Sequence, residues 1–125
     1  MIAIAAASVS FAVPASAANH AKSPWSAYLI GWSTGDTPNR QKQDRSAGYI
    51  SAGSISGGRA IKAWMLGFAN EDVESGTVTL SSGQHGYVTN QTFQKYGRKQ
   101  VHMRVQTTKY YSNQTEASGD WSPDS

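Results

Sequence analysis

Apolar and polar residues alternate along this chain with a period of two, and that pattern constrains the fold more than any other feature of the sequence. It is clearest in residues 100–111, where Val101, Met103 and Val105 alternate with polar residues. Successive side chains of a strand point to opposite faces, so the pattern predicts a strand with one buried and one solvated face. Turn residues recur about every ten positions, which predicts an all-β fold: a small antiparallel β-sandwich of about seven strands.

The same alternation predicts further strands at residues 27–32, 47–55, 60–68, 77–81, 86–89 and 115–121. Residues 60–68 are apolar on both faces, which predicts a central strand with Trp64 in the core, and Trp121 is expected there as well. Residues 33–46 are polar and are predicted to form a loop. The pair Gly57-Gly58 predicts a hairpin turn, because glycine accepts positive φ values. Residues 92–99 can form a single helical turn.

Residues 1–17 have the features of a cleavable signal peptide. Residues 2–13 are apolar or small, Pro14 ends the run, and Ala15-Ser16-Ala17 supplies the small residues of a signal-peptidase site. A membrane span needs about 20 residues, so no stable membrane insertion is expected after cleavage. We predict a secreted protein that is cleaved after Ala17, with a flexible lead-in at 18–26 and one sandwich domain at 27–125. The absence of Lys or Arg after Met1 indicates that a few basic residues precede this start.

Cysteine is absent from the whole sequence. The core must therefore hold by packing alone, and zinc sites built on thiolates and cysteine nucleophiles are excluded. No Gly-x-Ser-x-Gly elbow occurs, and the acidic residues lie in turns, in loops and near the C-terminus. His85 and His102 are predicted to be ordinary surface or rim histidines, with His102 on the solvated face of its strand. We therefore predict no enzyme, no metal and no cofactor.

Two groups of residues are candidates for binding. The net charge is +3, and a basic surface is predicted from Arg98, Lys99, Arg104 and Lys109. Such a surface either engages an anionic wall polymer or is simply a solvated face. Aromatic residues near predicted strand ends form the second group, namely Trp32, Tyr110 and Tyr111. These rings either stack on sugars or close the open ends of the sandwich.

Four short segments carry a resemblance to a known family: Ala63-Trp64-Met65-Leu66, Gly83-Gln84-His85-Gly86-Tyr87, Tyr110-Tyr111-Ser112-Asn113 and Ser118-Gly119-Asp120-Trp121. In these segments the chain resembles an uncharacterised family of small secreted Gram-positive β proteins, distantly similar in layout to the lactococcin 972-type bacteriocins. The resemblance covers residues 47–125. It implies no catalytic residues, and the tandem Trp and His-rich middle of the bacteriocin are absent here.

The preferred hypothesis is a secreted, non-enzymatic β-sandwich protein that acts at the Gram-positive cell envelope. The resemblance implies an accessory role beside an ABC-type export system. The expected partner is an anionic cell-wall polymer or a membrane transporter, and no nucleic acid is expected. A bacteriocin-like toxin and a wall-glycan or polysaccharide-binding module are the alternatives. The sequence does not predict an oligomeric state.

Overall fold

A computed structural model describes residues 19–125, and the predicted signal peptide lies outside this part of the chain. Its elements are β1 (Ser23–Leu29), β2 (Gly35–Asp36), β3 (Arg40–Gln41), β4 (Gly48–Ala52), β5 (Ser54–Ile55), β6 (Ile61–Gly67), β7 (Asp72–Leu80), β8 (Gln84–Val88), helix α1 (Thr92–Tyr96), β9 (Gln100–Thr107) and β10 (Thr115–Ser122). Seven of these strands have five or more residues, which confirms the predicted strand number. None of the described helices is long and apolar enough to cross a membrane.

The strands form two five-stranded antiparallel sheets. Sheet I has the order β2-β9-β6-β7, and β3 also pairs with β9. Sheet II has the order β1-β10-β4-β8, and β5 also pairs with β10. The two sheets pack face to face, so the predicted antiparallel sandwich is confirmed.

The core lies between the sheets and is built from alternate residues of each strand. Val101, Met103 and Val105 of β9 are buried, as the alternation predicts. The other large contributions come from Ile61 and Met65 in sheet I and from Leu29, Ile50 and Trp121 in sheet II. Each fully buried side chain of this kind contributes about 1.5–3 kcal/mol relative to an exposed one. This packing stabilises the domain without disulfides.

The prediction for Trp64 is wrong. β6 is central in sheet I, as expected, but Ile61, Ala63 and Met65 face the core while Trp64 lies half-buried on the outer face. A strand that is apolar on both sides does not reveal which side faces inward. Trp121 of the opposite sheet is buried, as predicted.

The first strand also differs from its prediction. β1 spans Ser23–Leu29 rather than residues 27–32, so the last residues of the predicted lead-in belong to sheet II. Trp25 is buried, and its indole N–H donates a hydrogen bond to the Ser51 carbonyl at 3.0 Å. Pro24 argues against a strand at this point of the sequence, because proline cannot donate a backbone hydrogen bond. It is tolerated here because β1 is an edge strand.

Of the predictions for two loops, one is wrong and one is correct in part. Residues 33–46, predicted as a loop, contribute the two short strands β2 and β3 to the edge of sheet I. Gly57 and Gly58 both adopt positive φ values, of 71° and 63°, before the chain enters β6. The positive φ values agree with the prediction, but the turn is not a hairpin, because β5 pairs within sheet II and β6 within sheet I.

Candidate functional site

Trp32 lies at the tip of a tight turn that follows β1. The Ser33 amide donates to the Ile30 carbonyl at 3.0 Å, and Ser33 Oγ accepts the Ile30 amide at 2.8 Å. Gly31 has a φ of 59°, a conformation that favours glycine. The turn is therefore fixed by local hydrogen bonds and presents Trp32 with 53% of its surface exposed.

Tyr110 meets Trp32 from the loop that follows β9. The two ring centroids are 6.1 Å apart with the planes inclined by 61°, and Tyr110 is 60% exposed. The Gly31 amide donates to the Tyr111 carbonyl at 2.7 Å, and Gln106 Nε2 donates to the Trp32 carbonyl at 2.6 Å. Two loops that are far apart in sequence are thus locked together, and a large aromatic pair is held in solvent.

Tyr111 extends this surface with a stacked cation. The Arg59 guanidinium lies 3.9 Å from the Tyr111 ring centroid and donates to Asn113 Oδ1 at 2.8 Å and to Thr115 Oγ1 at 2.6 Å. Lys109 is exposed, and no ion pair is found for it among residues 19–125. We call the group Trp32, Arg59, Lys109, Tyr110 and Tyr111 the end cluster. Arg59 was not predicted as a member, since its partners lie more than fifty positions away.

The predicted basic surface is divided between the two ends of β9. Arg98 and Lys99 precede the strand and Lys109 follows it, which separates them by about 25 Å at roughly 3.3 Å per residue. Lys99 is paired with Glu71 at 3.0 Å. Arg104 donates to both Asp36 carboxylate oxygens, at 2.8 and 3.0 Å, and to Asn70 Oδ1 at 3.1 Å. The structure therefore brings Trp32, Lys109, Tyr110 and Tyr111 together, but not with Arg98, Lys99 and Arg104.

His102 is buried, contrary to its prediction as a residue of the solvated face. It is 3% exposed, and its Nδ1 lies 2.9 Å from Asn39 Oδ1. A carbonyl oxygen only accepts, so Nδ1 carries the proton in this bond. Nε2 has no hydrogen-bond partner within the described chain and lies 3.7 Å from Asp36 Oδ2. The loop 33–46 covers this histidine, which strand alternation alone does not indicate.

The pKa values around Asp36 follow from these contacts. The hydrogen bonds from Arg104 hold the pKa of Asp36 below its usual value, and they raise the pKa of Arg104 in return. Burial lowers the pKa of His102, and the nearby Asp36 carboxylate offsets this only in part. At neutral pH, Asp36 and Arg104 therefore form an ion pair beside the neutral imidazole of His102. The two charges neutralise each other within the protein.

A second aromatic surface lies on the outer face of sheet II and was missed by the sequence analysis. Tyr49, His85 and Tyr87 are in mutual contact with centroids 5.5–5.7 Å apart, and Lys22 Nζ lies 4.4 Å from the Tyr49 ring. Tyr49 and Tyr87 are directly paired across β4 and β8. Cross-strand aromatic pairs stabilise sheets, and here they support an edge strand. We call Tyr49, His85 and Tyr87 the sheet II cluster.

Residues 19–125 contain no group of three or more His, Asp or Glu side chains that could hold a metal ion. A surface groove of about 520 Å³ lies at the open edge between the sheets, lined by Pro24, Trp25, Ser26, Asp36, Thr37 and Pro38. Asp36 is the titratable group of this lining and is committed to Arg104. A general acid–base pair is not present in the groove.

The family of the chain is shown by its sequence. A profile of DUF2712, a protein family of unknown function, matches residues 11–125, and the chain belongs to this family. No curated protein and no solved structure matches the chain. The match confirms the resemblance to an uncharacterised family, whereas the similarity to bacteriocins and the Gram-positive origin stay predictions.

Proposed function

We propose that this protein is a secreted, non-enzymatic protein of the Gram-positive cell envelope that binds wall polysaccharide through the end cluster. The observation that carries this proposal is the exposed Trp32–Tyr110 pair, held by hydrogen bonds from Gly31 and Gln106. Aromatic rings have an apolar face on which the C–H face of a sugar can stack. Rings fixed on loops above a rigid sandwich are a common arrangement for binding.

The charges of the end cluster suit an acidic or phosphorylated glycan. Lys109 is exposed next to Tyr110, and Arg59 lies on Tyr111. By contrast, Lys99 and Arg104 are engaged with Glu71 and Asp36. Stacking on the aromatic pair, with Lys109 as a supplementary charge, is therefore favoured over binding by the basic strand surface.

The accessory role beside an ABC-type export system rests on the resemblance stated above. Secretion rests on the predicted signal peptide, whose residues are not described by the structure. Secretion and cleavage are tested by recovery of the protein from culture medium with Ala18 as its first residue. An intact 2–17 segment in secreted material would contradict the predicted processing.

Binding is tested by sedimentation of the mature protein with purified Gram-positive cell walls. Replacing Trp32 or Tyr110 by Ala is expected to weaken binding about tenfold for each ring, or about 1.4 kcal/mol. Tyr87→Ala is the matched control, because Tyr87 is 55% exposed and belongs to the sheet II cluster. Unchanged binding by the double variant Trp32→Ala/Tyr110→Ala contradicts the proposal, and loss in Tyr87→Ala alone assigns binding to the sheet II cluster.

Salt and chemical treatment of the walls distinguish the ligands. The Debye length falls from about 10 Å at 0.1 M salt to about 3 Å at 1 M, so binding that depends on charge weakens steeply. Stacking on Trp32 and Tyr110 is expected to persist at 1 M salt. Walls stripped of their anionic polymer should still bind the protein if the peptidoglycan sugars are the ligand. They should no longer bind it if the anionic polymer is the ligand.

A further inference from the structure

Two fully buried, oppositely charged side chains meet at the end of the sandwich that lies opposite the end cluster. Lys42 follows β3 of sheet I and Asp124 follows β10 of sheet II. Both side chains are 0% exposed, and Lys42 Nζ lies 2.6 Å from Asp124 Oδ1. The pair spans 82 positions of the sequence and joins the two sheets. Asp124 Oδ2 also accepts the amides of Asn19 at 2.8 Å and Gln43 at 2.9 Å.

A second carboxylate, that of Asp44, lies beside this pair. Its Oδ1 accepts hydrogen bonds from the Ser46 amide at 2.8 Å and from Ser46 Oγ, and the Ser46 carbonyl in turn accepts from Lys42 Nζ. Burial acts to raise the pKa of Asp44, but hydrogen bonds from Ser46, together with Asp124 and Lys42, outweigh it and hold this pKa below its usual value. Asp44 therefore remains ionised, and Ser46 links its carboxylate to the lysine nitrogen through hydrogen bonds.

The lysine nitrogen is also held in position by the backbone. Lys42 Nζ donates to the Ser46 carbonyl and, at 2.9 Å, to the Pro123 carbonyl. These bonds keep the nitrogen beside the Asp124 carboxylate, in contact with Oδ1. The cluster thus combines an amine, a carboxyl group and a base in a site without solvent exposure of the reacting pair.

We propose that Lys42 and Asp124 condense into an intramolecular amide, with Asp44 moving the proton. Proton transfer within the pair gives the neutral amine and the neutral carboxylic acid. The amine nitrogen attacks Cγ of Asp124, Asp44 takes a proton from that nitrogen, and Asp44 then passes it to the departing hydroxyl group. One C–N bond forms, one C–O bond breaks, and one water molecule leaves. No oxidant, reductant or cofactor takes part.

Two physical effects favour this reaction. A buried ion pair carries a desolvation penalty that a neutral amide avoids. Two groups fixed in contact also react as if present at effective concentrations of about 10⁵–10⁸ M. The product would be a covalent bridge between the sheets in a chain that has no disulfides.

Intact-mass spectrometry of the denatured mature protein tests the proposal. The wild-type mass should be lower than the sequence mass by one water molecule, and Lys42→Arg should abolish the loss while keeping the charge. Asp124→Asn should instead lose one ammonia molecule. Tandem spectrometry of a digest should show the peptide containing Lys42 joined to the peptide containing Asp124, which separates this bond from succinimide formation elsewhere.

The controls concern the base and the timing. Asp44→Asn, folded by circular dichroism, should keep the unmodified mass, and Lys62→Arg should behave as wild type. A wild-type mass equal to the sequence mass after long incubation of the folded protein overturns the proposal. Full cross-linking in Asp44→Asn overturns the role of Asp44.

Discussion

The two ends of the sandwich invert the usual distribution of side chains. At one end Trp32 and Tyr110 are mostly exposed, and at the other Lys42 and Asp124 are completely buried. Exposed large apolar groups and buried charges are the informative exceptions to the rule that apolar residues lie inside. Each exception is maintained by hydrogen bonds to residues distant in sequence. We therefore propose that polysaccharide binds at the first end and that a covalent bond closes the fold at the second.

The largest expected effect is at the buried end. Lys42→Met removes the proposed amide and leaves the Asp124 carboxylate buried without a cation, and removal of one partner from a buried pair costs about 3–5 kcal/mol. Chemical denaturation of the purified variant measures this loss. Lys62→Met is the control, because Lys62 is half-buried on the outer face of sheet I. Equal stability of wild type and Lys42→Met would show that the charges at this end are not essential for the fold.

An intermediate effect is expected for Trp64, which lies between the two ends on sheet I. Because Trp64 is half-buried, Trp64→Ala should lower the free energy of unfolding by about 1–2 kcal/mol, less than the 3–5 kcal/mol expected for the buried Trp121→Ala. Wall binding should not change in Trp64→Ala. Loss of binding without loss of stability would extend the binding surface from the end cluster onto sheet I.

The smallest expected effect is a loss of folding stability as the pH falls. The pKa of His102 is lowered by burial in the folded state, so the unfolded chain binds its proton first. Stability from this group is complete above the unfolded pKa of about 6.5 and decreases as the pH falls through the lower, folded pKa. The melting temperature should therefore begin to decline below about pH 6.5, and His85→Gln should follow wild type. A melting temperature that stays constant below this pH would show that His102 becomes solvated.

The lowered pKa of Asp36 also makes the folded protein less stable in acid, but at a lower pH than His102 does. The stabilisation by Arg104 is present above the unfolded pKa of about 3.9 and is lost on further acidification. Arg104→Gln removes the cation that faces both groups and should raise the pKa of His102, which can be followed by NMR titration. An unchanged His102 pKa in this variant would contradict the electrostatic coupling.

Much of the fold could be predicted from the sequence, while the candidate site could be predicted only in part. The alternation in β9 identified its buried residues, and Gly57-Gly58 identified a turn with positive φ values. Trp64 was assigned to the wrong face because its strand is apolar on both sides. Trp32, Tyr110 and Tyr111 were predicted to lie near strand ends, but neither their contacts with one another nor their partner Arg59 could be predicted.

By itself, the sequence determined the all-β class and the strand-level pattern, because side-chain alternation and turn chemistry are local properties of the backbone. Only the tertiary structure decided which charges remain free. Arg104 meets Asp36 across 68 positions and Lys42 meets Asp124 across 82. Electrostatic and hydrogen-bond energies depend on distances in space, and in a sheet protein those distances are set by pairing between strands remote in sequence.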